Sequence, residues 1–188
     1  PGTMSGNANI GGFFGTGTFD SSVDGVDFSA SFLFGVNRTN GTGGFAGNGR
    51  VDSTGLGAIR FISNSTGPGE AILLNFDEQV SLNSLSLVES PNLPGGSTPI
   101  SIFLDGATTP GATTVAGPGA PTTVSFFDTI VSQILIVNTD STFPVIQQFR
   151  LTALDVSAVP IPAAAWLFGS ALAAAGVTRR LSKKRAAA

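Results

Sequence analysis

Apolar and polar residues alternate with a period of two over much of the chain, most regularly between residues 26 and 36. The apolar positions there are Val26, Phe28, Ala30, Phe32, Phe34 and Val36. Because successive side chains of a strand point to opposite faces, this pattern predicts a β-strand with one apolar face. Asp24-Gly25, directly before it, is a dipeptide typical of hairpin turns, so residues 15–20 are expected to pair with this strand in antiparallel fashion.

Further short segments are apolar or alternating and are predicted to be strands. They are residues 58–62, 71–76, 82–88, 100–104, 122–127, 133–137 and 148–156. Residues 37–57, 92–98 and 108–121 are rich in Gly, Pro, Asn or Thr and are predicted to be loops. Short strands separated by such breaks are typical of a single antiparallel β-sandwich or jelly-roll-like domain. We place this domain at residues 26–157, after a Gly-rich N-terminal arm or first strand at 1–25.

The C-terminal segment, residues 158–188, has a different pattern. Residues 159–177 form a run of nineteen uncharged residues, and at about 1.5 Å per residue a helix of that length spans the roughly 30 Å hydrocarbon core of a bilayer. We therefore predict a hydrophobic helix at 160–178, with an ordinary buried helix as the alternative. The small residues Ala165, Gly169 and Ala173 recur every four positions, a spacing that permits close helix–helix packing.

Charge is also divided between the two parts of the chain. Residues 1–178 carry four arginines against twelve carboxylates, a formal charge of −8, whereas residues 179–185 contain five basic residues. An acidic body repels phosphate backbones, so nucleic acid is not an expected partner. A basic end after an apolar run stays on the cytoplasmic side of a membrane, which predicts that the body is exported.

Specific residues occur in a fixed order along the tail. They are Val159, Pro160, Ile161, Pro162, Trp166, Leu167, Phe168, Gly169, Ser170, Arg179 and Arg180. This order resembles the sorting segment of PEP-CTERM proteins. That resemblance implies recognition by an exosortase, a tail held in the membrane before processing, and a final location on the outer cell surface or in the extracellular matrix. Position 161 departs from the family pattern, which often has Glu where this chain has an apolar residue.

Catalytic chemistry has few candidates in this sequence. The chain contains no His, Cys or Tyr, so the commonest general base and the thiolate nucleophile are missing. Asp77 and Glu78 form a paired carboxylate in a predicted turn, the residue type that glycoside hydrolysis uses when two carboxylates face each other across a cleft. We predict no catalytic residues, and a hydrolase centred on this pair is the alternative.

A calcium site is the other candidate for bound chemistry. Asp20, Asp24 and Asp27 lie around Gly25 and offer carboxylate oxygens, the ligands that Ca²⁺ prefers. A turn with solvated acids explains the same pattern, and no other cofactor is indicated.

These patterns together favour a non-catalytic cell-surface or matrix structural protein. The Gly-rich arm at residues 1–25 suggests self-assembly into filaments or sheets, in which the arm of one copy adds a strand to the sheet of another. The alternative is a carbohydrate-binding jelly-roll module that tethers exopolysaccharide. The fifteen Phe residues are interpreted as core, because sugar-stacking platforms usually use Trp or Tyr.

Overall fold

The structure is a computed structural model that describes most of the chain in segments. The described residues are 15–16, 18–23, 25–46, 48–52, 55–58, 69–89, 97–139, 149–159 and 170–171. They contain eleven strands: β1 (Gly15–Thr16), β2 (Thr18–Val23), β3 (Val26–Val36), β4 (Phe45–Ala46), β5 (Asn48–Asp52), β6 (Gly55–Ala58), β7 (Gly69–Glu89), β8 (Thr98–Leu104), β9 (Ala112–Ala116), β10 (Thr122–Asn138) and β11 (Phe149–Ala158). The prediction of a mainly antiparallel β chain is confirmed.

All eleven strands belong to one sheet with two long strands, β7 and β10, at its centre. These two strands pair along most of their length. On the other edge of β7, the first part pairs with β3 and the last part with β11. The first limb of the sheet is the part around β3, with β2, β4, β8 and β9. The second limb is the part around β11, with β1, β5 and β6.

The two limbs share one apolar core. Phe28 of β3 and Ile100 of β8 belong to the same cluster of buried side chains as Leu85 of β7 and Leu151 of β11. Burial of apolar surface stabilises the fold by roughly 25 cal/mol per Å². Because β7 and β10 pass from one limb into the other, the sheet folds over on itself and encloses its own apolar face.

Strand β3 has the bounds that the alternating pattern predicts. Val26, Phe28 and Phe32 are buried on one face, and Asp27 on the opposite face is exposed. The hairpin prediction is confirmed for residues 18–20, since β2 pairs with β3 from Thr18↔Ser31 to Val23↔Val26, with Gly25 at φ 80° in the turn. It is wrong for residues 15–16, which form β1 and pair with β5 instead. The pairing of β3 with β7 shifts register between Phe34 and Val36.

The prediction of two strands separated by a turn at Asp77-Glu78 is wrong, because both belong to the single strand β7. The chain stays extended from Gly69 to Glu89, with Phe76 and Val80 buried and Asp77, Glu78 and Gln79 exposed between them. These three residues carry β7 from its pairing with β3 to its pairing with β11. Solvent-exposed polar residues in the middle of a long strand gave the same sequence signal as a turn.

Three other predictions also require correction. Residues 122–127 and 133–137 are parts of a single strand, β10, whose register against β7 shifts twice. The predicted loop at 37–57 contains β4, β5 and the start of β6, and the predicted loop at 108–121 contains β9. In the Gly-rich segment 37–57, pairing with a neighbouring strand outweighs the low intrinsic strand preference of the sequence.

The loop at 37–44 keeps its predicted character and covers the outer face of the first limb. Asn37 Oδ1 accepts hydrogen bonds from the backbone N–H of Thr39 at 2.9 Å and of Asn40 at 3.4 Å. Asn40 Oδ1 in turn accepts from the N–H of Thr42 at 3.1 Å. Amide side chains that bond to nearby backbone favour such turns. The loop places Gly41 against the ring of Phe103, in a second, smaller apolar cluster.

The chain divides into two units, Pro1–Ala158 and Val159–Ala188. In the second unit, Ser170 and Ala171 are helical and exposed. Most of the helix predicted at 160–178 and all of the basic end at 179–185 lie outside the described residues. Among the residues that are described, no helix has the length and apolar character needed to cross a membrane.

Candidate functional site

The acidic residues predicted to bind calcium lie on the β2–β3 hairpin. Register places Asp20 of β2 opposite Ser29, and Asp27 of β3 opposite Ser22. The Asp27 side chain is exposed, and Asp24 lies outside the described residues. In the described ranges, no three His, Cys, Asp or Glu side chains come close enough to hold a metal ion. The calcium site stays a prediction.

The paired carboxylates Asp77 and Glu78 lie in the exposed crossing segment of β7. Consecutive residues of an extended strand point to opposite sides. Their two carboxylates therefore do not face each other as the two groups of a glycosidase do. The alternative of a hydrolase at this pair has no support in the geometry.

Of the residues that carry the sorting resemblance, two fall in the described part: Val159 is half-buried and Ser170 is exposed. The others lie outside that part, namely Pro160, Ile161, Pro162, Trp166, Leu167, Phe168, Gly169, Arg179 and Arg180, as do the helix-packing residues Ala165, Gly169 and Ala173. Their roles stay predictions from the sequence.

A polar row crosses the outer face of the first limb. Register aligns Ser29 of β3 with Asn75 of β7 and Gln133 of β10. Gln133 Nε2 donates to Asn75 Oδ1 at 2.8 Å. Next to Gln133, Asp105 Oδ1 accepts from the N–H of Ser132 at 2.7 Å and from the N–H of Gln133 at 2.9 Å. These contacts attach the turn after β8 to the middle of β10, just before the segment that pairs with β8.

The most unusual local structure lies in β10, where a bulge separates the pairs Ser125↔Ser84 and Thr129↔Leu82. Phe127 and Asp128 both have a positive φ, 52° and 60°. A left-handed conformation costs an L-residue roughly 1–2 kcal/mol and is seldom adopted by a bulky one. Thr129 Oγ1 donates to the backbone carbonyl of Phe126 and holds the bulge closed.

The bulge sends two neighbouring Phe side chains to different environments. Phe126 is 8% exposed and joins the shared core, whereas Phe127 is 89% exposed. Asp128, next in the chain, is exposed and accepts a hydrogen bond from Ser81 Oγ at 3.3 Å. The bulge therefore holds the aromatic ring of Phe127 in solvent, on a backbone with an unfavourable conformation.

Polar side chains of β7, β10 and β11 lie near this position in the register of the sheet. Asn83 of β7 lies opposite the bulge, and its Nδ2 donates to Asp155 Oδ1 of β11 at 3.3 Å. Ser125, Ser84 and Asp155 form one row across β10, β7 and β11 on the outer face of the second limb. We call Ser84, Asn83, Ser125, Phe127, Asp128 and Asp155 the bulge site.

A second row of hydroxyl groups adjoins the bulge site. Ser86 and Thr123 pair across β7 and β10, and their hydroxyl oxygens are 2.8 Å apart. Thr152 Oγ1 of β11 donates to the backbone carbonyl of Ser86 at 3.2 Å. The outer face of the second limb thus presents hydroxyls beside two carboxylates, an amide and one exposed ring.

The bulge site is not predicted from the sequence, because every Phe is interpreted there as core. One signal was present in the chain, since Phe126 and Phe127 are consecutive in a predicted strand. Two adjacent strand residues point to opposite faces, so one of the two rings has to leave a one-sided core. The left-handed backbone that exposes Phe127 has no comparable sequence signal.

Comparison with known proteins leaves the family of this chain open. No protein-family model and no curated protein matches its sequence. Among solved structures, it is similar to the X-ray structure of GH31 CBM32-2 bound to GalNAc, with 12% sequence identity and a TM-score of 0.42. The match covers 71% of this chain and 99% of that one. A similarity at this level assigns neither a ligand nor an activity to this chain.

Proposed function

We propose that this chain is an exported, non-catalytic cell-surface or matrix protein whose copies assemble by strand addition at the edge of the sheet. In this proposal the two limbs are the layers of a β-sandwich, and the N-terminal arm of one copy pairs with β9 of the next. The observation that carries it is the edge strand β9. The absence of His, Cys and Tyr from the sequence supports a non-catalytic role.

Strand β9 forms one end of the hydrogen-bonded path through the sheet. Among the described residues it pairs with β8 alone, from Thr98↔Ala116 to Ile102↔Ala112. An edge strand carries backbone N–H and C=O groups that can pair with another chain. Natural edges are commonly protected by lysine, by proline or by a bulge, but β9 is the uncharged, regular sequence Ala-Thr-Thr-Val-Ala.

The side chains of β9 also suit an added strand. Thr113 and Val115 are exposed, and Val115 keeps 48% of its surface accessible. Both are β-branched, a shape that packs well against a neighbouring strand. A partner strand that covers Val115 also removes its apolar surface from water.

The N-terminal arm is a suitable partner for this edge. The part of the arm that precedes β1, residues 1–14, contains no charged residue and includes Ile10, Phe13 and Phe14. The other end of the sheet path is β1, which directly follows this arm. A head-to-tail contact between two different surfaces does not close on itself, so its repetition produces filaments.

Export of the chain rests on the C-terminal tail. The order Val-Pro-Ile-Pro, Trp-Leu-Phe-Gly-Ser, apolar run and Arg-Arg supports recognition by an exosortase, with residues 160–178 in the membrane before processing. An acidic, hydroxyl-rich body suits the outer cell surface. Cell fractionation tests this step, because the full chain is expected at the surface of an exosortase-bearing host and a variant that ends at Ala158 is not.

Assembly is tested by electron microscopy and sedimentation of the purified full chain. Thr113→Lys places a charge in the β9 edge, and Thr108→Lys places the same charge in the exposed turn before it. We expect filaments for the parent and for Thr108→Lys, and dispersed particles for Thr113→Lys and for a chain lacking residues 1–14. Filaments that persist in Thr113→Lys contradict the proposal.

A further inference from the structure

We propose that the bulge site binds a neutral polysaccharide, with Phe127 stacking on a sugar ring and the neighbouring polar groups bonding to its hydroxyls. This inference is independent of the β9 contact. It rests on the exposed aromatic ring, on the backbone conformation that holds it out, and on the hydroxyl-rich face beside it.

The position of Phe127 is the first step of the argument. At φ 52° and 89% exposed, this residue combines an unfavourable backbone conformation with a large apolar surface in water. Glycine at this position avoids both penalties. Conformations of this kind cluster where a surface meets a ligand, and the side chain that benefits here is the Phe127 ring.

The chemistry of the neighbours determines the class of ligand. A pyranose ring has an apolar C–H face, which fits an aromatic ring, and a rim of hydroxyls, which both donate and accept hydrogen bonds. Asp128 and Asp155 offer carboxylate acceptors, while Asn83 and Ser84 offer donor groups. The carboxylates of Asp128, next to Phe127 in the chain, and of Asp155, in the row across β7, disfavour phosphate, sulfate and uronate groups, so the ligand is a neutral sugar.

The site is held rigid by its own contacts. Ser81 Oγ bonds to Asp128, and Asn83 Nδ2 bonds to Asp155, each at 3.3 Å. Each of these bonds leaves a second carboxylate oxygen, so a sugar hydroxyl can be bound without breaking the contact. A polar group fixed before binding loses less conformational entropy when the ligand arrives.

The extent of the face indicates a polymer rather than a single sugar. The row Ser125–Ser84–Asp155 crosses three strands, and the Ser86–Thr123 pair continues the same face. Neighbouring strands are about 4.8 Å apart, close to the length of one sugar unit. A chain of sugars running across the strands therefore meets one polar side chain of the row Ser125–Ser84–Asp155 at each strand, with the Ser86–Thr123 pair in the row beside it.

Affinity electrophoresis and isothermal titration with the full-length chain test this proposal. The probes are dextran, laminarin and galactomannan as neutral polysaccharides, alginate as an anionic one and poly-lysine as a cationic polymer. The expected result is binding to at least one neutral polysaccharide, with an association constant reduced roughly tenfold or more in Phe127→Gly. The Thr113→Lys background keeps the chain dispersed, so binding is measured apart from assembly.

Two control variants separate the ring from general effects of substitution. Phe45→Ala removes another exposed ring, 62% accessible, from the first limb and is expected to bind like the parent. Asp128→Asn keeps a side chain that tolerates a positive φ and is expected to weaken binding several-fold. The proposal is overturned if no neutral probe binds, if Phe127→Gly binds like the parent, or if only alginate or poly-lysine is retained.

Discussion

Gly41 in the loop over the first limb lies against the ring of Phe103 on strand β8. A β-carbon placed on Gly41 would be 2.9 Å from Cγ of that ring, and Gly41 has a φ of 67°. Phe103 is buried beneath this loop at 1% exposure. The loop is thus attached to the sheet at a point where both the backbone conformation and the space exclude a side chain.

Substitution of Gly41 by Ala is expected to lower the free energy of unfolding by about 2–4 kcal/mol. Roughly 1–2 kcal/mol comes from the left-handed backbone, and overpacking against Phe103 adds about 1–2 kcal/mol. Urea unfolding followed by circular dichroism measures the difference. Gly106→Ala is the matched control, because Gly106 has a φ of 71° and nothing within 4 Å of an added β-carbon. Equal losses in both variants would show that the ring contact contributes nothing.

Asp105 is expected to stabilise the turn after β8 through its carboxylate. Its Oδ1 accepts from the N–H and hydroxyl of Ser132 and from the N–H of Gln133, at 2.7–2.9 Å. Asp105→Gly removes these acceptors and suits the φ of 49°, so the change introduces no backbone strain. We expect about 1–2 kcal/mol of destabilisation by urea unfolding.

The control for this turn is Asp105→Asn, which retains an acceptor oxygen and a residue type that tolerates a positive φ. Its loss of stability is expected to be less than half that of Asp105→Gly. A larger loss in Asp105→Asn than in Asp105→Gly would contradict the assigned role of Oδ1.

Thr98 at the start of β8 offers a substitution that is expected to stabilise the fold. Its side chain is fully buried, and its Oγ1 has no hydrogen-bond partner among the described residues. Burying an unpaired hydroxyl costs about 1–3 kcal/mol, and Val has nearly the same shape. Thr98→Val should therefore raise the free energy of unfolding by about 1 kcal/mol in urea titrations.

A neighbouring threonine gives the opposite expectation. Thr139 Oγ1 donates to the backbone carbonyl of Pro99 at 3.1 Å, so Thr139→Val is expected to lower stability by about 1 kcal/mol. If both Val variants shift stability in the same direction, pairing of the hydroxyl is not what distinguishes the two sites.

The sequence predicted those strands whose polar and apolar positions match one buried face. Strand β3 was predicted with its observed bounds, since Val26 to Val36 alternate across a sheet with one face against the core. The sequence pattern predicts two strands in place of β7 and two in place of β10. Both strands pass from one limb of the sheet to the other, and the polar residues where they pass have the composition of a turn.

The bulge site could be predicted only in part. Alternation within β10 places Phe126 on the face of Val124, which packs against the core, and Phe127 on the face of exposed Ser125. The bulge and its positive φ values depend on the pairing of β10 with β7, a segment some forty residues away in the chain. Alternation within one strand contains no information about such a partner.

Phe127 provides the last prediction, in which stability and binding change in opposite directions. Phe127→Gly relieves a left-handed backbone that costs roughly 1–2 kcal/mol, and at 89% exposure the ring contributes little burial. The greater freedom of Gly in the unfolded chain offsets about 0.5–1 kcal/mol of that gain. Urea unfolding is expected to show a net gain of about 0.5–1 kcal/mol in the free energy of unfolding.

Phe126→Ala is the control for Phe127→Gly, because loss of a core ring is expected to cost about 3–4 kcal/mol. A gain in stability together with weaker polysaccharide binding identifies Phe127 as a residue kept for recognition, whereas a loss of stability shows that its ring supports the fold.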